Sequence, residues 1–156
     1  MLSKPFLRPL FDEMPQVSFF DAQVNTKHKG IIGLYKLYRE LKKEKITHIA
    51  DFHNVLRSKL LRALFILSGK PSVSINKGRA EKKALTRTTN KVFRQLKTSH
   101  QRYADVLSTL GFSLDLTNTP LIKKKLLSEK VTLLTGLKEG PWIGIAPFAA
   151  FKGKVY

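Results

Sequence analysis

Residues 46–75, with the sequence ITHIADFHNVLRSKLLRALFILSGKPSVSI, decide the predicted fold. The run from Ile46 to Asp51 is strand-like, and Pro71–Ile75 is a second short run with the same character. Between them, apolar residues recur at helical spacing from about Val55 to Ser68. A strand, a helix and a strand within so short a stretch form a βαβ unit, which predicts two parallel strands.

The boundaries of the central helix follow from its flanking residues. Asn54 is predicted to cap its first turn, because an asparagine side chain can accept a hydrogen bond from a free backbone amide. Gly69 is predicted to end it, because glycine tolerates the left-handed conformation common at helix ends. The face expected to be buried carries Leu56, Leu60, Leu64 and Leu67.

Further elements are predicted on both sides of this unit. Residues 28–44 form an amphipathic helix with an inward face of Ile31, Leu34, Tyr35, Tyr38 and Leu41. A helix over 99–110 buries Tyr103, Val106, Leu107 and Leu110, and ends at Gly111. A new short strand covers 142–146. We therefore expect a partial domain over 1–120, a linker region over 121–141 and the start of a second domain over 142–156.

Composition excludes several classes of protein. The chain has no cysteine, which excludes a disulfide framework and a thiolate metal site and fits a reducing cytoplasm. The best candidate for a membrane span, residues 60–67, is short and contains Arg62. Asp12 and Glu13 precede any apolar core region, so we predict no signal peptide at this N-terminus.

Positive charge is the strongest compositional feature. Lysine and arginine total 29 against 11 acidic residues, which gives a formal net charge of +18. Such a field attracts nucleic acid, an anionic membrane or a phosphorylated ligand, and composition does not choose among them. The residues 77–102, here named the basic segment, carry one acid, Glu81, and nine basic residues: Lys77, Arg79, Lys82, Lys83, Arg87, Lys91, Arg94, Lys97 and Arg102. The plainer interpretation is a solvated basic surface.

Three stretches together carry a resemblance to a known family. The first is Ile49–Ser58, in which an acid, a histidine, a small polar residue and Arg-Ser follow a strand. The second is the pair Arg102-Tyr103 with Leu110-Gly111, at the two ends of one predicted helix. The third is Ile143–Tyr156, an apolar strand followed by small residues and lysines. In order and spacing they resemble the lipopolysaccharide heptosyltransferases, glycosyltransferase family 9.

The resemblance implies an α/β fold. This sequence would supply an incomplete N-terminal Rossmann-like domain with a parallel sheet, plus the first strand of the second domain, from a two-domain GT-B glycosyltransferase. The implied activity is transfer of heptose from ADP-heptose to the lipopolysaccharide inner core. The implied partner is an anionic lipid A–Kdo glycolipid. The implied location is the cytoplasm, with peripheral contact at the inner face of the cytoplasmic membrane. No cofactor, metal or obligate protein partner is implied, and nucleic acid is not an expected ligand.

The sequence also departs from the family's pattern. The family begins with a strand and a Gly-Asp loop whose aspartate is the expected general base, whereas Met1–Phe6 resembles the end of the family's second strand. The expected base is therefore not found in this sequence, and we expect residues 1–156 to transfer no sugar alone. His53 is the one residue that could substitute, and nothing in the sequence orients it.

Two sets of site residues follow from the resemblance. The expected donor-phosphate residues are Lys154, Lys152, Ala149 and Ala150. The alanines stand where the family often has hydroxyls, which leaves backbone amides to bind phosphate there. The expected acceptor-binding residues are Asp51, His53, Asn54, Arg57, Arg79, Lys82, Lys83 and Arg87. For Asp51 and Asn54, a purely structural role at the helix start is an equal alternative.

Two other functions compete with this interpretation. The first is a small basic nucleic-acid-binding protein, which the positive charge alone suggests. A module of that kind would not need the βαβ unit. A basic peripheral membrane module would use the helix at 31–43, whose tyrosines and leucines are more simply explained as core.

Overall fold

The computed structural model describes residues 1–118, 126–136, 140–145 and residue 149. The chain divides into two compact units, Met1–Thr119 and Pro120–Tyr156. The first unit is mixed α/β and contains two small parallel sheets. The predicted α/β class is therefore confirmed, but the described strands form two separate pairs and not one continuous sheet.

The predicted βαβ unit is present. Strand β3 (Ile49–Asp51) pairs in parallel with β4 (Ser72–Ser74), with Ala50 opposite Val73, and helix α2 (Leu56–Leu67) connects them. Gly69 follows α2 at φ +78°, the left-handed conformation predicted for it.

Two details of α2 were predicted wrongly. The N-cap is Val55, because Asn54 itself adopts a left-handed conformation (φ 43°) and turns its side chain toward β4. The buried face is centred on Phe65, with Leu61 and Leu64 packed against the core. Leu56, Leu60 and Leu67 are exposed. The leucine spacing fits a helix at several rotations, and the contacts with α1 select a different one.

A second parallel pair lies at the N-terminus. Strands β1 (Leu2–Ser3) and β2 (Phe20–Asp21) are joined through a six-residue 3-10 helix, Pro5–Leu10. Arg8 in that helix forms a 2.6 Å ion pair with Asp21 at the end of β2. This ion pair ties the 3-10 helix to the end of β2.

Helix α1 (Gly30–Leu41) covers the core of the unit. Its inward residues include Leu34, Leu37 and Leu41, and its Tyr38 packs edge-on against Phe65 of α2 with ring centroids 5.0 Å apart. Burying one leucine contributes about 1.5–3 kcal/mol, so these contacts dominate the stability of the unit.

The predicted face of α1 needs one correction. Ile31 and Tyr35 are exposed, since the buried stripe follows Leu34, Leu37, Tyr38 and Leu41 instead. These four positions recur every three or four residues and form one stripe along the helix.

Helices α3 (Arg79–Leu85) and α4 (Ser99–Thr109) complete the described part of the first unit. In α4, Val106 is buried as predicted, and Gly111 follows at φ +91°. Tyr103 is exposed, contrary to prediction, although its ring lies 5.1 Å from that of Phe52. The buried neighbour of Tyr103 is Arg102, whose burial the apolar pattern did not predict.

The second unit contains one described helix, α5 (Glu129–Thr135), within the predicted linker. The predicted strand at 142–146 is absent over the described residues 142–145, where Ile143 and Ile145 are exposed. A strand requires a neighbouring strand for its backbone hydrogen bonds, and the described part of this unit provides none. Among the described residues, no helix is long and apolar enough to cross a membrane.

Candidate functional site

The turn that follows β3 is built around Asp51. Its carboxylate oxygen Oδ1 accepts hydrogen bonds from the backbone amides of His53 at 3.0 Å and Asn54 at 2.8 Å. The side-chain nitrogen of Asn54 then donates to the carbonyl of Ile75 at 2.9 Å. These bonds join the carboxyl ends of β3 and β4, the position at which parallel α/β sheets bind ligands.

An open pocket of about 410 Å³ lies at the end of β4. We name it the strand-end pocket, and it is lined by Asn54, Ser74, Asn76, Lys77, Arg79 and Ala80. The side-chain oxygen Oδ1 of Asn54 is buried and accepts no hydrogen bond from any described residue. A buried acceptor without a donor is unfavourable, so this oxygen has an unfilled hydrogen-bonding capacity beside the pocket-lining side chain.

The cations that line the same pocket suit an anion. Lys77 is half-buried and Arg79 is exposed, so both can reach a ligand held in the pocket. An arginine guanidinium binds a carboxylate or phosphate through two parallel hydrogen bonds. The strand-end pocket therefore combines the polar side chain of Asn54 with two cations that suit an acidic group.

Arg102 of α4 holds this end of the basic segment in place. Its guanidinium donates to the carbonyl of Asn76 at 3.1 Å and to Glu81 of α3 at 2.8 Å, and its Nε donates to the carbonyl of Lys97 at 3.3 Å. Gly78, at φ +60°, passes so close to the guanidinium that a Cβ atom there would collide with it. Arg102 is thus a positioning residue for the segment that carries Lys77 and Arg79.

The same contact affects the titration of Glu81. The hydrogen bond from Arg102 lowers the pKa of Glu81, partial burial opposes this effect, and the positive charge of Arg102 lowers the pKa further. Glu81 therefore stays ionised to lower pH than an isolated glutamate, and the ion pair is maintained over that range.

The structure separates the predicted acceptor-binding residues. Asn54 and Arg79 share the strand-end pocket, whereas Asp51 and His53 line a different cavity. The other four residues are exposed and line neither cavity: Arg57, Lys82, Lys83 and Arg87. Arg79, Lys82 and Lys83 nevertheless share one face of α3, because residues three and four apart are neighbours on a helix.

The predicted donor-phosphate residues lie at the end of the chain. Ala150, Lys152 and Lys154 lie outside the described residues. Ala149 is described, and it is exposed and has no regular secondary structure.

The second cavity is larger and more apolar. It has a volume of about 850 Å³ and lies between the two sheets of the first unit, and we name it the inter-sheet groove. Its walls include Leu2 of β1, Ile49 of β3 and Leu61 and Phe65 of α2.

Two buried polar residues were missed by the sequence reasoning. His28 is almost completely buried. Its Nδ1 accepts a hydrogen bond from the backbone amide of Gln23, and its Nε2 lies 3.3 Å from Oε2 of Glu40. Arg102 was identified as one charge of the basic segment and as part of the Arg102-Tyr103 pair, but its burial was not predicted. The available signal for Arg102 was Glu81, the one acid in that segment, since a buried arginine requires such a partner.

Within the described part of the chain, no group of three or more histidine, aspartate or glutamate side chains could hold a metal ion. Comparison of the chain with protein-family models, with curated proteins and with solved structures gave no match.

Proposed function

We propose that this chain provides acceptor binding in a heptosyltransferase that adds heptose from ADP-heptose to the lipopolysaccharide inner core. In this proposal the strand-end pocket holds a phosphorylated, Kdo-bearing glycolipid. The protein works in the cytoplasm, at the inner face of the cytoplasmic membrane. The Rossmann-like GT-B architecture and the role of residues 142–156 in donor binding belong to the same proposal.

One observation carries the proposal: Asn54, whose buried Oδ1 has no hydrogen-bond donor among the described residues, lines the same pocket as Lys77 and Arg79. A sugar that bears a phosphate or carboxylate offers a hydroxyl donor and an anion within a few ångströms of each other. The pocket presents the complementary pair, at the carboxyl ends of two parallel strands.

The exposed cations of α3 extend this surface toward a membrane. Lys82 and Lys83 lie on the same helix as Arg79, and each basic residue near an anionic surface contributes about 1 kcal/mol. They would hold the enzyme close to its lipid-anchored acceptor without inserting into the bilayer.

The proposal is tested by titrating the full chain with a Kdo-bearing, phosphorylated lipid A glycolipid in detergent. Replacing Arg79 by alanine should weaken binding by about tenfold to a hundredfold, since a charge-assisted hydrogen bond contributes about 1.5–3 kcal/mol. Arg79→Lys should recover part of the loss, because the charge remains and the planar fork is lost. Arg39→Ala, on the exposed side of α1, removes the same charge elsewhere and should leave binding unchanged within twofold.

The alternative is nucleic-acid binding, and Phe93, exposed among the cations of the basic segment, favours it. Aromatic rings between basic residues stack on unpaired bases. The same titration with duplex and single-stranded DNA therefore decides between the two. Tighter binding to DNA than to the glycolipid, or equal losses from Arg79→Ala and Arg39→Ala, would contradict the glycolipid proposal.

A further inference from the structure

The inter-sheet groove is bounded by backbone on two sides. Residues Met1–Ser3, which include β1, line one wall, and Ile49–Asp51 of β3 line another. Apolar side chains from both helices complete the lining: Leu41, Leu61 and Phe65. The same helices pack against both sheets in one core.

Strand β1 has a free edge toward the groove. The amide of Phe20 donates to the carbonyl of Met1 at 2.8 Å, and the amide of Ala22 donates to the carbonyl of Ser3 at 2.7 Å. In a parallel ladder, alternate residues direct their amide and carbonyl groups to opposite sides. Leu2 therefore directs both groups away from β2, and it lines the groove.

Strand β3 has the corresponding edge. The amide of Ile49 donates to the carbonyl of Pro71, and the amide of Ile75 donates to the carbonyl of Asp51, both at 2.9 Å. Ala50 consequently directs its amide and carbonyl groups away from β4, and it also lines the groove. Within the described residues, neither edge has another strand beside it.

Two side chains that line the groove each have one buried polar atom without a hydrogen bond. Oδ2 of Asp51 and Nε of Arg62 are buried without a hydrogen bond to any described residue, and both residues line the groove. Asp51 itself is only 7% exposed. One group needs a donor and the other needs an acceptor, and a peptide backbone supplies both.

We infer that the inter-sheet groove binds an extended β-strand from a separate polypeptide, which joins β1 and β3 through backbone hydrogen bonds. The occupant is an apolar, β-branched segment, because a strand buried on both faces is rich in valine and isoleucine. Acidic residues flank it, because the net charge of +18 attracts acidic segments. This inference does not depend on the glycolipid proposal, which uses the other cavity.

The test uses the full chain, labelled for NMR, and a blocked synthetic peptide with the sequence Asp-Glu-Val-Ile-Val-Val-Ile-Asp-Glu. Bound peptide should slow hydrogen exchange of the Leu2 and Ala50 amides by about tenfold or more, because both become hydrogen-bonded. The amide of Asp21, on the outer edge of β2, serves as the internal control. A peptide with proline at the central valine lacks an amide donor and should bind much more weakly.

Two protein variants extend the test. Leu2→Pro removes the amide that faces the groove but none of the β1–β2 bonds, and Arg62→Met removes Nε while retaining the aliphatic stem. Each should weaken peptide binding about fivefold to tenfold, whereas the matched Arg39→Met should not change it. Circular dichroism melting confirms that each variant is folded.

Three results would overturn the inference. These are no binding at the solubility limit of the peptide, equal affinity for the proline peptide, and binding that leaves the Leu2 and Ala50 amides unprotected. Protection of the same amides without peptide, together with a dimer on sizing, would assign the groove to a second copy of the chain.

Discussion

The core beneath α1 and α2 is apolar, whereas the basic segment is organised around the buried polar side chain of one arginine, Arg102. In the core, many contacts of similar strength surround Leu37, Tyr38 and Phe65. In the basic segment, Arg102 binds groups from three separate stretches of chain. Dispersion contacts are numerous and nondirectional, but hydrogen bonds to a buried guanidinium depend on geometry. Damage to the first region should therefore be global, and damage to the second should be local.

The largest effect is expected in the apolar core. Leu37→Ala should lower the free energy of unfolding by about 3–4 kcal/mol, because the 1% exposed side chain leaves a cavity when truncated. Urea unfolding followed by circular dichroism measures the change. Leu67→Ala, at an exposed position of α2, is the matched control and should change stability by at most about 0.5 kcal/mol. Similar losses in the two variants would mean that the core is placed incorrectly.

A smaller and more local effect is expected at Arg102. Arg102→Met keeps the buried stem and removes the hydrogen bonds, which leaves the carbonyls of Asn76 and Lys97 without this donor. Hydrogen bonds made by a charged group contribute about 1.5–3 kcal/mol, so we expect a loss of about 2 kcal/mol. Hydrogen exchange should quicken in α3 and stay slow in α1 and α2. Uniform quickening would show that the basic segment and the core unfold as one unit.

The smallest expected effect is a pH dependence of local stability. Glu40 on α1 and Glu81 in the basic segment each have a lowered pKa, so each region has its own response to acid. A hydrogen bond from Lys27 is the main cause for Glu40, and a hydrogen bond from Arg102 is the main cause for Glu81. A lowered folded-state pKa gives stability that is present above the unfolded value of 4.5 and lost as pH falls through the folded value.

The comparison of Glu40→Gln with Glu81→Gln measures this pH effect in each region. Glu81→Gln should remove the acid-dependent loss of exchange protection in α3, and Glu40→Gln should remove the corresponding loss in the last turn of α1. Protection profiles between pH 3 and pH 6 record both. If either variant removed the acid dependence of both helices, the two regions would be coupled.

The same contrast explains which parts of the structure could be predicted from the sequence. The βαβ unit was predictable because strand-like runs, helical spacing and Gly69 are local signals. The rotation of α2 was not, since Leu60 and Leu61 are both apolar and only the packing of α1 selects the second. The parallel pairing of β1 and β2 was missed because each strand has only two residues.

The candidate sites were predictable to a smaller extent. Asn54 was identified as important at a strand end, but its left-handed conformation and its bond to Ile75 depend on tertiary structure. Arg102 received no structural role because the groups it binds, at residues 76, 81 and 97, converge only in the folded chain. Apart from the single acid Glu81, the sequence around this basic side chain gives no local indication that it is buried.

Residues 91–98, which connect α3 to α4, have no regular secondary structure and are mostly exposed. The entropic cost of closing such a connection rises only slowly as residues are added to it, and exposed loops tolerate such changes. Arg102 follows this connection, whereas Asn76 and Glu81 both precede it, so these bonds involve no residue of the connection itself. Insertions and deletions between 91 and 96 should therefore be tolerated in divergent versions of this protein without displacing the strand-end pocket.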